Sequence, residues 1–232
     1  TECVRSCPHD NITINMRPFG TDLDRKKKFK WDEAILAIVL LSLTSFHGLT
    51  MTPLWTQLNQ VLRADLNIGA STCFTLLMAL MLVVPILLFW AGAKLAHLFV
   101  GNGAATVAQI FKTFAYSLVP IALFYHLAHN CMHFFTEAQH IIPLFSDPFG
   151  FGWDLFGTAG KSYPPILSLT SIWYLQIICI VAGHLYGVVL ADRFARRLYQ
   201  DSGSVFRSLV PLLATMILYS SFSVWLVMQP MD

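Results

Sequence analysis

The residues best suited to chemistry in this chain are histidines that lie inside apolar stretches. His126, His129 and His133 follow one another at spacings of three and four residues, so a helix would present all three on one face. An ionisable side chain in a lipid-embedded helix is costly and is a functional hypothesis by default. The stripe predicts a haem or metal ligand set. A water-lined proton or quinone pocket and an interhelical hydrogen-bond seam are the alternatives.

Other histidines lie at matching depths along their apolar stretches and are candidates for the second ligand of a haem iron. His47 lies about 20 Å into the first stretch, at roughly 1.5 Å per residue, and His126 is equally deep in the third. We therefore expect His47 and either His126 or His129 to clamp an outer haem iron. His97 and His184 are expected to match at an inner depth and to hold a second haem. Bis-histidine ligation is a common way to hold an electron-transfer haem.

Small residues flank these histidines and bear on the same hypothesis. Gly48 follows His47, while Gly183 and Gly187 bracket His184. A flat macrocycle between two helices needs such space. Small residues at this spacing more commonly serve plain helix packing, so the glycines alone carry little weight.

The elements that must position the histidines are predicted to be membrane spans. Hydrophobic residues make up 56% of the 232 residues and charged residues 12%. A span needs roughly 20 mostly apolar residues. The sequence predicts an all-α integral membrane protein, a bundle of five transmembrane helices (residues 31–232) behind a short N-terminal cytoplasmic segment (residues 1–30). The expected spans are 33–52, 73–97, 111–135, 165–192 and 205–228.

The orientation follows from the distribution of lysine and arginine. Basic residues are dense before the first span, from Arg25 to Lys30, and after the fourth, from Arg193 to Arg207. Short basic connections stay in the cytoplasm. We expect a bacterial inner-membrane protein with a cytoplasmic N-terminus, an outer C-terminus and an ordered outer cap over residues 136–164. The basic runs beside the spans favour lipid-headgroup contact, and nucleic acid is not expected as a partner.

Two cysteines stand in the polar head. Cys3, Cys7 and Pro8 form C-x3-C-P, the closing half of the bacterial run C-x2-C-x2-C-x3-C-P that binds iron–sulfur clusters. Counting back in threes places the missing cysteines just before residue 1, so the chain is expected to be the C-terminal portion of a longer protein. A chance pair or a disulfide would give the same two cysteines. The other cysteines, Cys73, Cys131 and Cys179, fit no metal motif and are predicted to be small buried residues.

The run from Cys3 to Asn11, followed by Arg17-Pro18-Phe19-Gly20 and hydrophobic spans, resembles the membrane-bound ferredoxin-type proteins called polyferredoxins. The resemblance covers about the first twenty residues. It implies a cytoplasmic 4Fe-4S cluster that exchanges electrons with a membrane partner. It also implies that Cys3 ligates the local cluster and Cys7 the other cluster of a pair.

These features together predict a membrane electron-transfer subunit that passes electrons between a 4Fe-4S cluster and one or two b-type haems or a quinone. Redox partner subunits and the lipid bilayer are the expected partners. A second hypothesis is a histidine-lined permease or delivery protein for a transition metal, with copper as cargo and Cys131 and Met132 nearby. A third is a non-catalytic anchoring or assembly subunit. The sequence contains no Gly-rich phosphate loop and no G-x-S-x-G turn, which argues against phosphoryl transfer and serine hydrolase chemistry.

Overall fold

The computed structural model describes residues 16–18, 20–24, 28–101 and 105–229. Within these ranges the chain is all-helical and contains no strand. The helices, in chain order, are α1 (Thr21–Asp24), α2 (Trp31–Thr50), α3 (Pro53–Leu66), α4 (Ala70–Val100), α5 (Val107–Ala115), α6 (Leu118–Glu137), α7 (Ile141–Ser146), α8 (Leu169–Leu198) and α9 (Ser202–Val227).

Five helical segments are long and apolar enough to cross a membrane, by length and composition. They are α2, α4, the run from α5 to α7, α8 and α9, so the all-α class and the predicted number of helical segments of span length are confirmed. The boundaries shift where local signals decide them. The fourth span begins at Leu169 rather than at 165, because Pro164 and Pro165 precede it and the Ser168 hydroxyl caps the backbone N–H of Ser171.

The third span is broken rather than continuous. α5 ends at Ala115 and α6 begins at Leu118. Pro120 accounts for the break, because its ring would clash with the carbonyl of Tyr116 and it has no N–H to donate. The chain substitutes tighter bonds there: the N–H of Ser117 donates to the Phe114 carbonyl at 3.0 Å and the N–H of Val119 to the Tyr116 carbonyl at 3.3 Å. Pro85 lies inside α4 without interrupting it.

The bundle has two distinct ends. We call the end at which α2 starts the basic end, since it carries Lys30, Arg196 and Arg197. The opposite end, which we call the cap end, carries α3 and the segment 138–168. The helices run alternately between the two ends. Large side chains fill the interior toward the basic end, among them Phe111, Phe114, Leu190 and Phe194.

The cap end is ordered by local hydrogen bonds. The Asp147 carboxylate accepts from the backbone N–H groups of Phe151 and Gly152, both at 2.8 Å. The α3 helix was not assigned from the sequence. It starts with Pro53 in its first turn and ends at Leu66; the next residue, Asn67, has a φ of 51°, in the left-handed region.

Candidate metal centre

Three histidines from two helices meet near the cap end. His47 lies in the last turn of α2, and His129 and His133 lie one turn apart on α6. One nitrogen from each ring belongs to a group in which all the atoms lie within 4.8 Å of one another. We call these residues the trihistidine site.

The rings of this site contact one another edge to face. The centroids of His47 and His129 are 4.8 Å apart with planes at 83°, and those of His129 and His133 are 5.6 Å apart at 72°. The predicted meeting of His47 with the α6 stripe is therefore present in the structure. It occurs through His129, with His133 as a third member.

The hydrogen bonds of the site suit metal ligation. His129 is only 6% exposed, and its Nε2 has no hydrogen-bond partner among the described residues. A buried polar atom without a partner costs about 1–3 kcal/mol, so such atoms are rare unless something else binds them. A metal ion would satisfy this nitrogen.

Glu137 forms a hydrogen bond with one of the three rings, that of His133. The Nδ1 of His133 donates to Oε1 of Glu137 at 3.1 Å, which leaves Nε2 as the nitrogen available for a metal. A carboxylate behind a ligating imidazole fixes its tautomer and raises its basicity. The sequence motifs alone give Glu137 no role. Its position four residues after His133 was the signal that could have identified it.

A cavity of about 520 Å³ opens beside the site between α2, α4 and α6. Its polar lining includes His47, His126, His129 and Asn130. His126 thus lies on the predicted face and reaches the same cavity, but it is not a member of the trihistidine site. The apolar lining consists of Leu43, Phe46, Phe74 and Met78, and Thr44 and Thr50 complete it.

The geometry favours a single metal ion over a haem. Zinc–nitrogen bonds are about 2.0–2.1 Å, which puts imidazole nitrogens around a tetrahedral ion about 3.3 Å apart. The three nitrogens, which lie within 4.8 Å of one another, would have to close to that separation around an ion. Three imidazoles around one point cannot all serve one haem iron, which offers only two axial positions.

The other predicted histidine pair is not brought together. His97 lies near the basic end of α4, with its Nδ1 3.0 Å from the Ala105 carbonyl. His184 bonds Ser220 of α9, whereas α4 contacts α9 through Gly92 and Thr215. At about 1.5 Å per residue, these contacts put His97 and His184 about 15 Å apart in depth.

Local bonds also occupy the ring of His184. Its Nδ1 lies 2.6 Å from the Ile180 carbonyl, and its Nε2 bonds the Ser220 hydroxyl. Gly183 and Gly187, which bracket it, face α6 rather than open space: a Cβ at Gly183 would lie 2.7 Å from Phe124 Cβ. The glycines serve helix packing, the ordinary alternative considered for them.

The cysteines divide into two groups. Cys3 and Cys7 lie outside the described residues. Cys73 is buried on α4, as predicted, while Cys131 and Cys179 are half-buried and interact with each other across the α6–α8 interface. None of these three joins the trihistidine site.

No family model, curated protein or solved structure matches this chain. The functional argument therefore rests on the geometry of the site.

Proposed function

We propose that this chain is a membrane metalloprotein that binds one transition-metal ion at the trihistidine site. The observation that carries the proposal has two parts: the buried Nε2 of His129 has no hydrogen-bond partner among the described residues, and His129 contributes a ring nitrogen to a group of three imidazole nitrogens within 4.8 Å of one another. A structural interpretation of the three histidines would leave that nitrogen unexplained.

The ligand set selects the class of metal. Neutral imidazoles suit zinc, copper, iron and nickel, whereas magnesium and calcium prefer oxygen ligands. Copper(II) heads the usual order of affinity among divalent first-row metals. We therefore propose copper or zinc as the ion, in keeping with the metal-delivery hypothesis from the sequence.

The position of the site supports delivery rather than passage through the membrane. The lysine and arginine bias assigns the basic end to the cytoplasm, which puts the cap end and the trihistidine site on the outer side. His133 and the exposed Glu137 form its outermost part. Toward the basic end the interior is filled by Phe111, Phe114 and Phe194. An ion would enter and leave from the outer side.

Metal titration of the full chain tests this proposal. The protein, purified without a histidine tag and held in nanodiscs, should bind one Cu²⁺ or Zn²⁺ tightly by calorimetry and metal analysis. His47→Ala and His129→Ala should remove that binding, because each takes away one of three ligands. His140→Ala is the matched control, since His140 is an exposed histidine outside the site. Equal metal binding by all three variants would refute the site.

Electron transfer through b-type haem is the second candidate function. The cavity of about 520 Å³ against His47, His126 and His129 favours it, because a haem needs space beside its axial ligands. In this proposal a cytoplasmic 4Fe-4S segment with Cys3 and Cys7, redox partner subunits and exchange with quinone would complete the chain of carriers. Oxidised and reduced absorption spectra of the native protein distinguish the two functions. Sharp reduced b-type bands that are lost in His47→Ala would favour haem, and a protein without such bands that binds metal would favour delivery. A protein that binds neither would fit an anchoring subunit.

A further inference from the structure

We propose that the ion at the trihistidine site keeps one coordination position open toward the cavity between α2, α4 and α6, and that a small polar ligand, such as water, hydroxide or a small anion, binds there. This inference rests on the proposed metal site. The site would then be a reactive centre that accepts an external ligand, and not only a place that holds the ion.

The number of protein ligands is the first support. The group contains three imidazoles, and no fourth histidine, cysteine or carboxylate of the described residues joins it. Glu137 is the nearest candidate by sequence, but its carboxylate accepts from the far side of the His133 ring, at Nδ1. Structural zinc sites are closed by four protein ligands, whereas sites that react keep three and leave the fourth position to solvent or substrate.

The place of the cavity is the second support. His47 and His129 line it, but His133 does not. The free side of the ion therefore faces the cavity, while His133 and Glu137 lie toward the cap end. The cavity has room for several small molecules, so an incoming ligand would not have to displace a side chain.

Polar groups next to the ion are the third support. Asn130 and His126 line the cavity among apolar neighbours. The Nδ2 of Asn130 donates one N–H to the His126 carbonyl at 2.8 Å, which anchors the amide and leaves its second N–H as a donor and its Oδ1 as an acceptor for a ligand on the ion. The hydroxyls of Thr44 and Thr50 donate to carbonyls of their own helix, so their oxygens are acceptors for a water or hydroxide ligand.

Azide provides a direct test on the full chain in nanodiscs loaded with one Cu²⁺. The expected result is saturable binding of one azide per copper, seen as a new azide-to-copper charge-transfer band and a changed copper EPR spectrum. Replacing His126 by Phe or Asn130 by Leu should alter azide affinity by about tenfold, the size of one hydrogen bond to a charged group. Copper stoichiometry should not change, because neither residue is a ligand.

Two matched controls separate this effect from general damage. His140→Phe makes the same change at an exposed histidine outside the cavity, and Asn59→Leu makes the other change on α3. Both should keep wild-type affinities for copper and azide. If copper binds and azide leaves its spectra unchanged, the open position is refuted and the metal site stands. If copper does not bind, the metal site and this inference fail together.

Discussion

At the scale of single residues, the key feature is an imidazole that the protein buries without satisfying. His129 is 6% exposed and its Nε2 lacks a hydrogen-bond partner in the described chain. By contrast, both ring nitrogens of His184 are hydrogen-bonded by groups of the bundle. The contrast separates a histidine that stabilises packing from one that is available to an ion, although both lie in apolar helices.

Replacing His129 with Leu should separate stability from metal response. Removing the unsatisfied nitrogen should not lower the free energy of unfolding of the metal-free protein, and should raise it by up to about 1–3 kcal/mol. Zn²⁺ at 100 times its Kd should stabilise the wild type by about 2.7 kcal/mol and the variant not at all. Thermal unfolding in nanodiscs with and without Zn²⁺ measures both effects. A variant with the full zinc response would contradict the assignment of His129 as a ligand.

Glu137→Gln should weaken metal binding without abolishing it. Loss of the negative charge behind His133 lowers the basicity of that ligand, and such changes usually cost 10- to 100-fold in affinity. Competition titration with a metal chelator would measure the shift while one ion per chain is retained. Asp65→Asn on α3 is the control, because that carboxylate lies on an exposed helix face away from the site. Unchanged affinity in Glu137→Gln would remove Glu137 from the site.

At the scale of helices, the close approach of α6 and α8 positions the α6 histidines. A Cβ at Gly187 would lie 2.8 Å from the Ser117 carbonyl oxygen and 2.9 Å from the Ile121 side chain. A backbone carbonyl cannot move aside as a flexible side chain can. Gly183 and Gly187 are recognisable in the sequence as small residues on either side of His184, but a single sequence does not distinguish space for a haem from a contact between helices.

Gly187→Ala should therefore destabilise the bundle. Overpacking of a close interface typically costs about 1–3 kcal/mol. Gly160→Ala is the matched control: nothing lies within 4 Å of a Cβ built at Gly160, so its stability should not change. Reversible unfolding in mixed detergent micelles compares the two variants. Equal stability would show that α6 and α8 can separate at this point without cost.

Much of the helical framework was predictable because apolar stretches of span length are unambiguous. The stripe on α6 was also predictable, because side chains three and four residues apart share a helix face. The pairing of His97 with His184 was not, since counting residues from estimated span ends ignores where helices actually begin. α4 runs to Val100 and α8 to Leu198, beyond the expected ends at 97 and 192. Of the two bonds that occupy His184, the one with Ser220 arises only once α9 packs against α8.

At the scale of the whole molecule, aromatic side chains mark both ends of the bundle. Near the basic end, Trp31 stacks on Trp90 with ring centroids 6.0 Å apart, and the Lys112 ammonium lies 5.5 Å from the Trp31 ring centroid. Near the cap end, Trp55 contacts Phe46 and Phe74 edge to face. The helix α2 runs from one belt to the other. Its 20 residues correspond to a length of about 30 Å, the thickness of a hydrocarbon core. The trihistidine site lies close to the cap-end belt, so its access depends on which side that end faces.

Single cysteines in a background without the five native cysteines should establish that side. Lys161→Cys lies in the cap-end segment and Ser202→Cys is at the first residue of α9, and both positions are exposed. The lysine and arginine bias predicts that a membrane-impermeant maleimide labels Lys161→Cys in intact cells and Ser202→Cys only after permeabilisation. Lys28→Cys, also at the basic end, should behave like Ser202→Cys. The reverse pattern would place the trihistidine site on the cytoplasmic side, where an ion would enter from the cell interior, and would contradict delivery from outside.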